Sequence, residues 1–432
     1  MSITVGFWGV GILIFLLVAR FPVALALMTV SFGGITWLVG IKPALGIVMN
    51  TPYSFVASWT MSAVPMFLLM GFISYHAGLT TGIFAAAKVV LRKIPGGLAI
   101  SSIFACSGFA AVSGSSLATA AAMGRIAIPE MVAAGYRPSI AAGSIAAGGT
   151  IGALIPPSIL MIIYGILAET SVTQVFLGGI AIGLLTALSY VGVVFAISIL
   201  RPDIIPRHIP EDGESSTKAL FQIWPMMVLV LLVFGGLFSG YFSATEAGAV
   251  GAFGALILGF ITKGLDWEAI QKSLLETVLT TSSLFIIAVG AAMFTRFLGL
   301  TGLSSFLNSA VSGADLSYVE LMLIVVLVYL ALGTFMEPFG AMLVTLPVFL
   351  PIMKAEDISL IWFGVLVVKL LEIGMITPPV GLNVFVIKNV ASKYVTVVQV
   401  FKGVIPFLLA DLVVVALVIA VPQIVMFLPN LI

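Results

Sequence analysis

The stretches Gly152-Ala153-Leu154-Ile155-Pro156-Pro157 and Gly374-Met375-Ile376-Thr377-Pro378-Pro379 decide the fold of this chain. They carry the same Pro-Pro interruption 222 residues apart, each inside a long apolar run where a helix in lipid would continue unbroken. Two adjacent prolines remove two backbone donors and crowd the preceding turn, so the helix opens and frees carbonyl oxygens near mid-membrane. A duplicated break of this kind points to a transport site.

The rest of the chain agrees in class. It has 432 residues, 61% hydrophobic and 8% charged, with a mean hydropathy of +1.27. This is an all-α polytopic membrane protein. A net charge of +1 with no basic or acidic tail argues against nucleic acid as a partner. The single cysteine, Cys106, excludes an intrachain disulfide and any Cys-rich metal site. The first helix begins almost at Met1 without a basic leader or a small-residue cleavage site, so it reads as retained. No Gly-x-x-x-x-Gly-Lys-Ser/Thr loop is present, so ATP does not drive the chain directly. His76 and His208 are the only histidines, with His208 in a linker, which leaves little for a Ser-His dyad or a His-based metal centre. A membrane hydrolase is therefore the weakest functional class, and the chain is not read as an enzyme.

Spans are expected at 4–19, 22–40, 53–77, 139–167, 172–200, 221–241, 246–262, 277–297, 360–388 and 398–428, about ten crossings. Two further apolar regions, 98–134 and 319–353, are split by Ser113-Gly114-Ser115-Ser116 and by Gly333-Thr334 through Glu337-Pro338-Phe339-Gly340. Their arms, roughly 14 to 17 residues or about 21 to 26 Å at helical rise, fall short of a ~30 Å core. They read as two re-entrant helical hairpins with tips inside the membrane, the alternative being pairs of short tilted spans.

The duplication extends past the prolines. Gly78-Leu79-Thr80-Thr81-Gly82 resembles Gly299-Leu300-Thr301-Gly302, and Pro129-Glu130-Met131 aligns with Pro351-Ile352-Met353 at the same offset. The repeats are then 1–200 and 221–432, joined by a hydrophilic linker at 201–220 on the cytoplasmic side. Lys88, Arg92, Lys93 and Arg137 sit against Glu130 at the first hairpin base, whereas Asp315, Glu320, Glu356 and Asp357 sit against Lys354 at the second. Opposite bias implies opposite sides. Placing the first base in the cytoplasm also puts Arg20, Arg201, Arg207, Lys218, Lys263, Lys272, Lys388, Lys393 and Lys402 inside, with Lys42, Arg296 and Lys354 outside. The repeats are thus inverted, with both termini periplasmic. Inverted repeats with broken helices suit alternating access better than the fixed pore of a channel.

The first tip, Ser113 to Ser116 with Thr119 one turn on, brings hydroxyls and loosened backbone to the opened segment from Gly152 to Pro156. Such hard oxygen donors suit sodium, although small residues also serve close helix packing. The second tip offers Gly333, Thr334 and Glu337 opposite Gly374 and Thr377, with Asn383 further along. Glu337 aligns with Ser115 and Glu372 with Thr150, so the two sites differ chemically. Because a charge at mid-membrane costs roughly 2.5 to 3.5 kcal/mol, Glu337, Glu372, Lys369, Arg125 and Asp411 should line a cavity or pair internally. Lys369 and Glu372, three apart on one helix, either neutralise each other or take part in coupling. Arg125 is the cationic candidate for an anionic substrate group, with packing or snorkelling as the alternative.

At these residues the chain resembles the large membrane (M) subunit of tripartite ATP-independent periplasmic (TRAP) transporters, within the wider ion transporter superfamily. The resemblance is carried by Ser113 to Ser116 through Met123-Gly124-Arg125 to Pro129-Glu130-Met131, and by Gly148-Gly149-Thr150-Ile151-Gly152 to Pro156-Pro157-Ser158. Thr245-Glu246-Ala247 to Val250-Gly251-Ala252, Glu337-Pro338, and Ile376-Thr377-Pro378-Pro379-Val380-Gly381-Leu382-Asn383 complete it. It implies a bacterial or archaeal inner-membrane permease importing a small organic anion, a carboxylate or sulfonate of dicarboxylate or sialic acid type, driven by two or more sodium ions. No organic cofactor is implied. It also implies an elevator motion of a transport domain, 98–167 plus 319–388, against a scaffold made by the remainder. The implied partners are a small four-helix Q membrane subunit, expected as a separate chain, and a soluble periplasmic substrate-binding protein. Carried over by position, sodium site 1 involves Ser113, Ser115, Ser116, Gly152 and Pro156, and sodium site 2 Gly333, Thr334, Glu337, Gly374 and Thr377. The substrate cavity involves Ser116, Thr119, Arg125 and Asn383. The alternatives are a stand-alone sodium and anion symporter or antiporter of the same superfamily, and an assembly scaffold.

Overall fold

The computed structural model describes residues 2–19, 21–206, 216–314 and 316–431. Arg20, Arg207, His208 and Asp315, and positions 207–215 of the linker, lie outside the described residues. Within them every regular element is a helix.

The first half runs α1 (Ile3–Val18), α2 (Val23–Val39), α3 (Ile41–Val56), α4 (Ala63–His76), α5 (Gly82–Leu91), α6 (Gly97–Ser113), α7 (Ser116–Ala133), α8 (Pro138–Thr150), α9 (Ile159–Leu167) and α10 (Val172–Leu200). A short α11 (Ser216–Phe221) opens the second, followed by α12 (Trp224–Phe238), α13 (Ala244–Ile261), α14 (Trp267–Thr301) and α15 (Leu303–Gly313). It continues through α16 (Tyr318–Phe335), α17 (Pro338–Ala355), α18 (Leu360–Gly374), α19 (Leu382–Val390), α20 (Val397–Ala420) and a terminal turn α21 (Gln423–Met426). Shifted by 222 residues, α7 becomes 338–355, the bounds of α17, and α8, α9 and α10 fall on α18, α19 and α20 within a few residues. The repeat is therefore structural as well as sequential. It departs at one place: α3 and α4, bent by 58° at their junction, occupy the positions of the single 35-residue α14.

Ten crossings emerge when α3–α4, α8–α9 and α18–α19 are each taken as one interrupted span and the hairpins as none. Five in each half is an odd number, which turns the second half over relative to the first. The expected spans are found, with three differences, one being that 398–428 ends as a helix at Ala420 and is followed by the separate turn α21. The apolar 277–297 is the membrane part of the longer α14, and α3 is a separate helix ahead of the expected 53–77 span.

Both hairpins fold back on themselves. Thr345 Oγ1 donates to Tyr329 OH at 2.8 Å, joining positions eight residues either side of Glu337, and Ser113 Oγ meets Thr119 Oγ1 at 3.1 Å across the first tip. The arms reach the upper end of the expected length or pass it by one residue, with 17 residues in α6 and 18 in each of α7, α16 and α17. The second pair is long and apolar enough to cross a membrane by composition. Arm length is thus a poor argument for re-entrance, and the tertiary contacts of the tips carry it instead.

The halves interleave. α2 packs on α14 and α4 on α13, while α8 packs on α20 and α10 on α18, each pair joining elements of different repeats. Small residues permit this. Ile140 to Thr150 is buried without interruption, and a Cβ at Gly143 would overlap the backbone of Gly403, so α8 and α20 touch main chain to main chain. Helix starts at depth are capped by their own side chains: Ser115 and Ser158 accept from the amides of Ala118 and Met161. Each cap satisfies a backbone donor that lipid cannot.

Candidate functional site

At the first break α8 ends at Thr150, makes one tight turn through Ile151–Ala153, and does not resume until α9. At the second, α18 ends at Gly374 and α19 begins at Leu382 after Gly381 turns with φ +60°. Both Pro-Pro bonds, 156–157 and 378–379, are cis. The carbonyls of Gly152 to Pro157, and of Ile376 to Val380, accept from no backbone amide among the described residues. The first segment is buried apart from a half-buried Ile155, whereas Thr377 to Val380 is half-buried or exposed; acceptors left open in a protein interior need a water, a cation or a ligand.

Each break is closed by its own hairpin tip. A Cβ at Gly152 would lie 2.8 Å from both Ser115 O and Thr119 Oγ1, and a Cβ at Gly114 (φ +59°) would overlap Pro157 O. Thr119 Oγ1 donates back to Ser115 O at 2.8 Å. Ser113, Ser115, Thr119 and Gly152 are thereby gathered, with Pro156 buried alongside. At the second break, Gly333 and Gly374 meet backbone to backbone: a Cβ at Gly333 would come 3.2 Å from Gly374 Cα. Thr334 and Thr377 spend their hydroxyl protons on their own helices, at Ala331 O and Ile373 O, each at 2.7 Å. Glu337 caps α17 through Gly340 N at 3.3 Å.

The two tips converge. A cavity of about 180 Å³ is lined by Gly114 to Leu117 of the first tip and Glu337 to Phe339 of the second, with Glu372 and Met375 from the second break among the remaining walls. Ser116 Oγ donates to Glu372 Oε2 at 2.6 Å, so the first tip is tied to the second opened helix. Thr280 and Leu284 of α14 close one side. Neither was singled out in the sequence, although Thr280-Thr281-Ser282-Ser283 is a polar interruption of the apolar helix that could have flagged them.

Other expectations are redistributed. Pairing of Lys369 with Glu372 is overturned: Lys369 Nζ instead forms a buried ion pair with Asp411 Oδ1 on α20, leaving Glu372 to Ser116. Asn383 is buried beside α8, its Nδ2 donating to Ala146 O at 3.3 Å, and does not line the cavity. Arg125 lies on an exposed face of α7 and, among the described residues, neither lines that cavity nor forms an ion pair. The adjacent Gly124 packs α7 against Ile387 and Val390 of α19, which leaves Arg125 facing away from the tips.

A sequence profile described as "Tripartite ATP-independent periplasmic transporter, DctM component" matches residues 10–424. The chain belongs to this family. The TRAP large permease fold is thus shared with curated relatives. One is the C4-dicarboxylate TRAP transporter large permease protein DctM of Pseudomonas aeruginosa, 36% identical over 375 residues covering 86% of each chain. Another is the isethionate TRAP transporter permease protein DctMQ of Oleidesulfovibrio alaskensis, 32% identical over 95% of this chain and 64% of that one. Among solved structures, the Alcanivorax borkumensis YdaH transporter superposes with a TM-score of 0.63 at 14% identity over 89% of both chains, a likeness of fold. As a TRAP large permease the chain is a multi-pass membrane transport protein and not an enzyme.

Proposed function

We propose that the chain is the permease of a sodium-coupled uptake system for a small organic anion. The observation that carries this reading is the cavity itself: two opened helices and two hairpin tips meet around a space whose lining, among the described residues, holds Glu337 and Glu372 and no cationic side chain. An anion entering beside carboxylates in a low-dielectric site is repelled unless cations enter with it. The donors beside each break are hard oxygens, the open carbonyls and Ser or Thr hydroxyls, which suit sodium and not a soft transition metal. Gly152 leaves a cradle between Ser115 O and Thr119 Oγ1 that a Cβ would fill. Ser113, Ser115, Ser116, Gly152 and Pro156 would hold one sodium, and Gly333, Thr334, Glu337, Gly374 and Thr377 the other.

The cavity is small beside ordinary ligand pockets of about 300–1,000 Å³, which favours a small ligand. Relatives named for C4-dicarboxylate and for isethionate are consistent with a carboxylate or sulfonate. In this reading the hairpins and opened helices travel as an elevator against the helices around α2, α4, α13 and α14. The chain works in a bacterial inner membrane with both termini periplasmic. A small four-helix membrane subunit and a periplasmic binding protein complete the system, the latter selecting the anion.

The test is uptake into proteoliposomes holding the permease with its small subunit, fed by the loaded binding protein. Accumulation should require an inward sodium gradient and vanish when potassium replaces sodium. Uptake indifferent to sodium would overturn the reading.

A further inference from the structure

Between the two breaks lies a buried polar chain that the transport site does not use. Lys369 and Asp411 are both 0% exposed and form an ion pair. Tyr190 OH donates to the other carboxylate oxygen, Asp411 Oδ2, at 2.7 Å, and the Lys369 ammonium lies 5.8 Å from the centre of the Tyr190 ring. The Thr150 hydroxyl, bonded to Ala147 O at 2.6 Å, lies 3.3 Å from Tyr190 OH. Tyr190 spends its proton on Asp411 and Thr150 gives most of its own to Ala147 O, so the contact between the two hydroxyls is a weak, shared hydrogen bond.

The positions of these residues matter. Thr150 is two residues before Gly152, and Glu372, one turn from Lys369, is two before Gly374. The contacts therefore close a ring: first tip, Glu372, Lys369, Asp411, Tyr190, Thr150, first break, and back to the first tip through Ser115 O against Gly152. It crosses between the repeats twice, at Ser116–Glu372 and at Tyr190–Asp411. An ion pair at this depth serves no solvation purpose, and an apolar pair of like volume would hold the helices as well. What it adds is direction, because hydrogen bonds fix the rotation of α8, α10, α18 and α20 about their axes where packing of small residues alone leaves it loose.

We propose that Thr150, Tyr190, Asp411 and Lys369 are positioning residues that tie the two opened segments together, so that occupancy of one cation site sets the geometry of the other. This rests on the sodium reading above. Coupling of that kind appears as cooperativity between the ions.

The experiment is sodium activation of uptake in the reconstituted system for wild type, Tyr190→Phe, Thr150→Val and the double variant. Tyr190→Phe keeps the ring packed edge-on against Phe407 and changes no charge. It should raise half-activating sodium about tenfold, the scale of a hydrogen bond to a charged group, and bring the Hill coefficient toward 1. Uptake at saturating sodium should stay within about twofold of wild type. Thr150→Val, losing the weaker link, should shift it about threefold, and the double variant should go no further than Tyr190→Phe. Wild-type sodium curves in variants of normal abundance, or fully additive shifts, would overturn the proposal. A wild-type protein indifferent to sodium would instead overturn the functional reading, and this inference with it.

Discussion

Gly374→Ala is the sharpest perturbation of the second tip, because its cost can be worked from geometry. A Cβ at Gly374 would fall 2.6 Å from Gly333 O and nearer still to its carbonyl carbon, all main-chain atoms that cannot rotate away. Reaching an ordinary contact of about 3.5 Å requires the tip to retreat by about 1 Å. The gain in helix propensity of Ala over Gly, about 1 kcal/mol, partly offsets an overpacking cost of about 1–3 kcal/mol. The fold should therefore survive with a small loss of stability, while a site that depends on tip and break fitting together loses its geometry. The reverse change is milder: a Cβ at Gly333 would meet Gly374 Cα at 3.2 Å and Leu371 O at 3.4 Å, which a shift of a few tenths of an ångström relieves. Gly152→Ala lies between, with 2.8 Å contacts to Ser115 O and Thr119 Oγ1. Half-activating sodium should thus rise in the order Gly333→Ala, Gly152→Ala, Gly374→Ala, with the last at least about tenfold above wild type, as a 1 Å misplacement of site groups commonly costs or exceeds. Uptake assays at varied sodium, beside detergent-solubilised thermal stability, read both quantities. Equal effects at Gly333 and Gly374, or wild-type activation in Gly374→Ala, would refute the reasoning.

Three further outcomes are expected. Lys369→Met alone strands a buried carboxylate and should lower stability by about 3–5 kcal/mol, seen as loss of membrane-inserted protein; Asp411→Leu added to it should restore abundance. Ser116→Ala removes the donor that Glu372 accepts at 2.6 Å and should lower stability by about 1.5–3 kcal/mol in a thermal shift assay, whereas Ser115→Ala, losing only a 3.4 Å cap to Ala118 N, should cost less than about 1 kcal/mol. Cysteines introduced near Lys93 and near Lys354 should label from opposite sides of the membrane; labelling from the same side would contradict inversion.

Much of the fold was legible because lipid imposes few solutions. Pro-Pro pairs in apolar runs, Ser113 to Ser116 and Glu337-Pro338 gave the breaks and both tips to within a residue or two. Boundaries failed where amphipathic or charged residues continue a helix beyond the lipid. Glu268, Lys272 and Glu276 hide the first turns of α14, and Lys42, Asn50 and Pro52 disguise α3 as a loop. Pairings failed for a different reason. Lys369 and Glu372 share a helix, but their partners, Asp411 and Ser116, lie 42 and 256 positions away, and no local pattern announces such contacts. That the two tips share one cavity was equally hidden, since each tip reads naturally against its own break.

The central claim is that each opened helix, closed by its hairpin tip, holds one sodium ion. Equilibrium binding of radiolabelled sodium to the purified permease measures it most directly. The account predicts two saturable ions per chain, one bound more weakly in Gly152→Ala and the other in Gly374→Ala. No saturable sodium, or two ions bound with wild-type affinity in both variants, would contradict it.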